Sequence, residues 1–170
     1  MEIMRNGLLF LNLKGIRISL KFIKKMIKIN KNKISFELVM GGEKQTKNLY
    51  ELLKKRKYLI SHKDLPIYKI HKKFVEKNPY RFWYLISLEE SYIGSFYIKY
   101  DNSVGINVTL QNKEILISIL SFLKDNHYPN KVAASLIPPY FYVNVASDNI
   151  ELQNLFERLD ARALQVSYKI

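Results

Sequence analysis

Apolar and polar positions change period several times along the chain, and each change marks an element. Ile34–Met40 alternates as a strand does and stops at Gly41–Gly42. From Gln45 to Lys57 the period lengthens to that of a helix. Leu49, Leu52 and Leu53 share one face, and the run Lys54–Lys57 lies near the carboxyl end, where cations suit the helix dipole. Leu59–Pro66 reads as a loop with Ser61 and Asp64 as candidate caps, and Pro66 suits the first turn of a second helix. Asn78–Pro79 closes that helix after about Lys77. Three strands follow: Phe82–Leu88, Tyr92–Tyr100 and Val104–Leu110, joined by turns at Glu89–Ser91 and Asp101–Ser103. Gly94 inside the second marks a bulge or a close backbone approach. Ile115, Ile119, Phe122 and Leu123 then give a helix over Lys113–Asp125. After a proline-containing loop come a strand at Tyr140–Ala146, a helix from Ser147 or Asp148 through Leu159, and a closing strand at Ala163–Tyr168.

The first 30 residues fit two periods. Leu13, Ile16, Leu20, Ile23 and Ile27 share a helical face, yet Ile16, Ile18, Leu20 and Phe22 also alternate as in a strand. A basic amphipathic helix would point to a membrane surface, and an extra element packed on the domain is the plainer reading. The organisation is therefore a basic extension over 1–30 and a single domain over 31–170. Its class is α/β (α+β) with a mixed, mostly antiparallel sheet: strand, two helices, three strands, helix, strand, helix, strand.

Composition narrows the chemistry. With 48% hydrophobic and 13% aromatic residues among 170, the chain has the apolar content of a folded domain rather than of a disordered tail. Zero Cys excludes a disulfide framework, a thiol nucleophile and Cys-ligated metals, and a cytoplasmic location is the simplest expectation. His62, His71 and His127 lack metal-ligand spacing, so no metal site is expected. No apolar run reaches the roughly 20 residues a membrane span needs. The net charge of +13 is lopsided, with +14 in residues 1–80 and −1 in 81–170. A basic half suits nucleic acid, a membrane surface or an anionic small molecule, and charge alone does not choose.

Particular residues carry a resemblance. Trp83-Tyr84-Leu85-Ile86, then Tyr92-Ile93-Gly94-Ser95-Phe96-Tyr97-Ile98, form a hairpin pattern. Val104-Gly105-Ile106-Asn107-Val108 follows, and Val143-Asn144-Val145-Ala146-Ser147-Asp148-Asn149 precedes Leu155-Phe156-Glu157-Arg158-Leu159. In this order they resemble the GNAT superfamily of N-acetyltransferases from about Ile34 to the C-terminus. A looser similarity, through Ile60–Pro66, His71, Phe74 and Pro79–Tyr84, is to members that acetylate amino groups of nucleotide-linked sugars.

The resemblance implies acetyl-CoA as cosubstrate, bound where the central sheet splays open, with amides at a helix start cradling the pyrophosphate. It assigns cofactor contacts to Ile106, Val108, Gln111, Asn112, Lys113, Glu114, Ile115, Asn149 and Phe156. The family's Gln/Arg-x-x-Gly-x-Gly/Ala loop falls on Gln111–Leu116, which keeps the Gln and loses both glycines. Glu114 then puts a negative charge beside a pyrophosphate, and Leu116 threatens to crowd it. The helical Tyr that protonates the departing thiolate in many members is Phe156 here, so either the thiolate leaves unaided or another Tyr substitutes, Tyr168 first, with Tyr142 and Tyr140 also in neighbouring strands. His62, in the loop overhanging the acceptor groove, is the candidate base, with an exposed loop His as the alternative; His71 reads as a packing or capping residue. Arg81, Trp83 and Asn107 are candidate acceptor contacts, although an aromatic on a central strand is more often core.

Three functions follow from these residues. The first is an acetyltransferase acting on a small primary amine, with an anionic acceptor and a homodimer left open. The second is a GNAT-like binding module that has lost catalysis. The third is a nucleic-acid binder using Lys-rich stretches with Tyr50, Tyr58 and Tyr68, which the absence of any nucleic-acid-binding signature argues against.

Overall fold

The structure is a computed structural model that describes residues 10–13, 16–19, 34–58, 64–131 and 136–168. The chain divides into two compact units between Lys33 and Ile34. In the first, β1 (Phe10–Leu13) and β2 (Ile16–Ser19) pair antiparallel, with Phe10 opposite Ser19 and Leu13 opposite Ile16. The alternating reading therefore applies there and the helical one does not; residues 20–33 lie outside the described ones.

The second unit is built on a five-stranded sheet in the order β3-β4-β5-β6-β7. β3 (Ile34–Leu38), β4 (Phe82–Leu88), β5 (Ser91–Ile98) and β6 (Ser103–Val108) form an antiparallel meander, and β7 (Tyr142–Val143) joins β6 in parallel. The helices are α1 (Glu43–Lys54), α2 (Tyr68–Lys77), α3 (Lys113–Asn126) and α4 (Ile150–Glu157). The mixed α/β class and the mostly antiparallel sheet are as the sequence pattern expects.

Period-2 alternation sends β4 and β5 side chains to two cores. On one face Tyr84, Ile86, Phe96 and Ile98 pack with Ile115, Ile119 and Leu123 of α3. On the other, Trp83 and Leu85 pack with Val39, with Leu49 and Leu52 of α1, and with Val75 of α2. Full burial of a side chain such as Phe96 contributes about 1.5–3 kcal/mol. Gly94 serves both suggested purposes. Ile93 is the extra residue of a bulge opposite Ile86–Ser87, and a Cβ on Gly94 would collide with the backbone of Asn107 and Val108.

Three expectations change. The strand read over Tyr140–Ala146 shrinks to two paired residues, because the chain leaves β6 after Asn144. The helix after it starts at Ile150 with Asn149 as its cap, rather than at Ser147 or Asp148. The closing strand at Ala163–Tyr168 is not a strand. Residues 161–168 have the right alternation but no ladder partner among the described residues and stay exposed, and the pattern alone cannot supply a partner.

Candidate active site

The site begins where β7 leaves β6. Ser103 faces Tyr142 and Val104 faces Val143, and the Tyr142 and Asn144 N–H groups donate to Asn102 O and Val104 O at 3.4 and 3.2 Å. Beyond Asn144 the two strands part. Alternate residues of β6 bond to β5: Ser103 O accepts from Lys99 at 2.9 Å, and the Thr109 N–H donates to Ile93 O at 2.8 Å. Ile106 and Val108 share the phase of Val104, so their N–H and C=O groups point into the opening. Among the described residues no strand pairs with them.

A cleft of about 290 Å³ occupies this opening. One wall is Gly105–Gln111, the other is Asn144–Ala146 with Asn149 and Leu152, and Lys55–Tyr58 after α1 closes a third side. A larger concavity, about 440 Å³, lies along α1 between Lys44 and Tyr92. Four of its nine lining residues are exposed charged side chains, whereas buried polar groups converge on the smaller cleft, which makes the latter the candidate site.

Those polar groups come from three elements. Gln111 Oε1 and Arg56 Nε are both shielded from solvent without a hydrogen-bond partner among the described residues. Tyr97 projects across β6 above Gly105, where any Cβ would strike its phenol ring. Burial raises the Tyr97 phenol above its ordinary value, partly opposed by the Arg56 charge, so it stays protonated. Tyr97 also stacks on Tyr80, ring centroids 3.9 Å apart. Asn107 shares the Tyr97 face of the sheet, and Glu151 is the one carboxylate among the described lining residues.

At the N-terminus of α3, the Asn112 side chain accepts from the Ile115 N–H at 2.8 Å. The amides of Lys113 and Glu114 have no partner among the described hydrogen bonds, as is usual for a first turn. Asn149 likewise caps α4 through the Leu152 N–H at 3.2 Å. Leu116 does not crowd this end: it is buried with Leu152 and Leu155 between α3 and α4.

Of the residues singled out in the sequence, Ile106, Asn107, Val108, Gln111 and Asn149 meet in the cleft. Asn112, Lys113, Glu114 and Ile115 form the helix start beyond Gln111, with Ile115 buried in the core and Lys113 and Glu114 exposed. Phe156 packs in the α3–α4 cluster. Trp83 is a core residue of the α1–α2 face, and Arg81 turns away to donate to Tyr128 O at 3.0 Å. Tyr168 is 87% exposed on the unpaired tail, which removes the reason for making it an acid. His62 lies outside the described residues. His71 is buried against Tyr50, and His127 is buried against Tyr84, so neither serves the cleft. Sequence reasoning missed Arg56 and Tyr97. The small residue Gly105, opposite Tyr97 across two adjacent strands, was the available signal.

This strand order, splayed between β6 and β7 beside a helix N-terminus, is an α/β fold found among solved structures. Among solved structures three chains match, one of them the crystal structure of a possible acetyltransferase from Clostridium difficile 630. The match has a TM-score of 0.50 at 13% sequence identity and covers 81% of this chain and 96% of that one, a likeness of fold. No family model and no curated protein matches the sequence. No helix among the described residues is long and apolar enough to cross a membrane, and no group of three or more metal-ligating side chains occurs among them.

Proposed function

We propose that the chain transfers an acetyl group from acetyl-CoA to a primary amine, with the amine of a nucleotide-linked amino sugar as the first acceptor to try. The observation carrying this reading is the outward-facing backbone of Ile106 and Val108, left without a strand partner at the splay. The amide-containing arm of acetyl-CoA suits such an edge in the way an added strand does. Gln111 Oε1 offers an acceptor beside it, and the free amides of Lys113 and Glu114 suit a pyrophosphate. The Glu114 charge weakens that attraction, Lys113 restores part of it, and Leu116 leaves the approach open.

In the reaction the neutral amine attacks the thioester carbonyl, the C–S bond breaks, the departing thiolate takes a proton, and the attacking nitrogen releases one to solvent, from which the acid is reprotonated. The Tyr97 phenol, held protonated by burial, is the group we assign to deliver that proton, in place of the family's helical Tyr. Asn107, on the same face and lining the same cleft, is the residue we assign to orient the acceptor.

A second reading, cosubstrate binding without transfer, draws on Phe156, which packs between α3 and α4 and offers no proton. Isothermal titration with acetyl-CoA, followed by thiol release over a panel of amines, separates them. Binding with turnover is expected. Binding without turnover favours the second reading, and absence of binding at millimolar acetyl-CoA overturns both.

A further inference from the structure

Among the described residues, the Arg56 cation just after α1 has no ion-pair partner. Lys55, Arg56 and Lys57 all line the cleft, but Lys55 and Lys57 are exposed, whereas Arg56 is half-buried with its Nε shielded and unpartnered. The ion pairs around α1 and α2 are Lys47–Glu43, Lys54–Glu51 and Lys72–Glu43, and none among the described residues reaches Arg56. A guanidinium cannot shed its proton to escape burial, so an unpaired one is costly unless a ligand supplies the opposite charge. Beside it is the stacked Tyr97–Tyr80 pair, which offers no anion, and Glu151, the carboxylate among the described lining residues, makes no ion pair with it.

Its side of the sheet says which ligand. Gly105 and Asn107 pair with Tyr97 and Ser95 on the α1–α2 face, while Ile106 packs toward α3 and α4. Arg56 approaches from the α1 side, and the amides suited to pyrophosphate are at the start of α3. The fork of the guanidinium matches a carboxylate or phosphate, with two N–H groups for two oxygens.

We propose that Arg56 receives an anionic group, carboxylate or phosphate, carried by the amine acceptor. This rests on the acetyl-transfer reading and adds the acceptor's charge to it. Tyr97 and Gly105 form the floor of the subsite: the glycine leaves room for the phenol, which is braced by its stack on Tyr80.

The test compares the full chain with Arg56→Gln and Arg56→Lys, using matched amines: β-alanine against propylamine, and phosphoethanolamine against ethanolamine. The charged member of one pair should show the lower KM, the pair naming carboxylate or phosphate. Arg56→Gln should raise that KM about tenfold or more, the scale of a lost charge-assisted hydrogen bond. It should leave the neutral amine and the KM for acetyl-CoA unchanged, and Arg56→Lys should recover part of the loss. A rise confined to the acetyl-CoA KM, or equal KM values within both pairs, overturns the proposal. A readout independent of turnover is the Arg56 Nε–Hε signal by NMR, titrated with propionate and with inorganic phosphate. A saturable shift upholds the anion site even where no amine turns over and the transfer reading itself has failed, and an unmoved signal overturns it.

Discussion

Five buried side-chain polar atoms lack a partner among the described residues: Arg56 Nε, His71 Nε2, Asn78 Oδ1, Trp83 Nε1 and Gln111 Oε1. Two of the five line the cleft, which is where unpaired polar groups can be completed by a ligand. His71 has a different consequence. Burial depresses its pKa below the ordinary 6.5, and His127 is depressed too, by burial and by the Arg81 charge. For both, the unfolded chain takes up protons more readily than the folded one. Their contribution to stability is therefore complete above 6.5 and is lost as pH falls through the depressed folded values. Melting temperature should drop on acidification below 6.5, and the double variant His71→Gln/His127→Gln should show a flatter pH slope; an unchanged slope would contradict this. At this scale the sequence reading of His71 as a packing residue agrees with its burial, whereas Tyr168 could not be judged without knowing whether its strand had a partner.

Asn102 shows what an element junction requires. It is fully buried with φ +67°, a conformation Asn tolerates, and its side chain bonds to three backbone groups. Nδ2 donates to Asn130 O at 3.1 Å and to Pro138 O at 2.9 Å, and Oδ1 accepts from the Asn130 N–H at 2.7 Å. Its own carbonyl accepts from Tyr142, so one residue ties the loop after α3 to the start of β7. Asn102→Ala should cost about 2–4 kcal/mol in denaturant unfolding, from orphaned carbonyls and a strained φ. Asn112→Ala, a lost cap at the start of α3, should cost only about 1 kcal/mol. A loss at Asn102 no larger than at Asn112 would count against the junction role. The meander was legible almost residue by residue because alternation and turn residues are local. Phe82–Leu88 agrees at both ends, while β7 was overread because its length is set by divergence from β6, which no local pattern encodes.

Across the whole molecule, the residues from Ile34 onward form a compact unit of their own. A chain of residues 34–170 should therefore fold cooperatively and retain the acetyl-CoA affinity of the full protein. Circular dichroism and titration check this, and a molten truncation would show that the N-terminal unit completes the fold. The basic excess of +14 in residues 1–80 gains a more specific meaning from the fold. The lysines it places on α1 and α2 are mostly solvated, whereas Arg56 is carried half-buried into the cleft.

The sequence by itself determined the order of elements, the two-faced alternation of β4 and β5, and the stop signals between them, because period, turn residues and charge act over a few neighbouring positions. The tertiary structure alone decided that β7 pairs for two residues and then departs, and that residues 161–168 join no strand among the described residues. It likewise decided that Arg56, Tyr97, Asn107 and Gln111 share one cleft. Each of these depends on backbone hydrogen bonds and burial between segments far apart in the chain, which only the packed fold brings into contact.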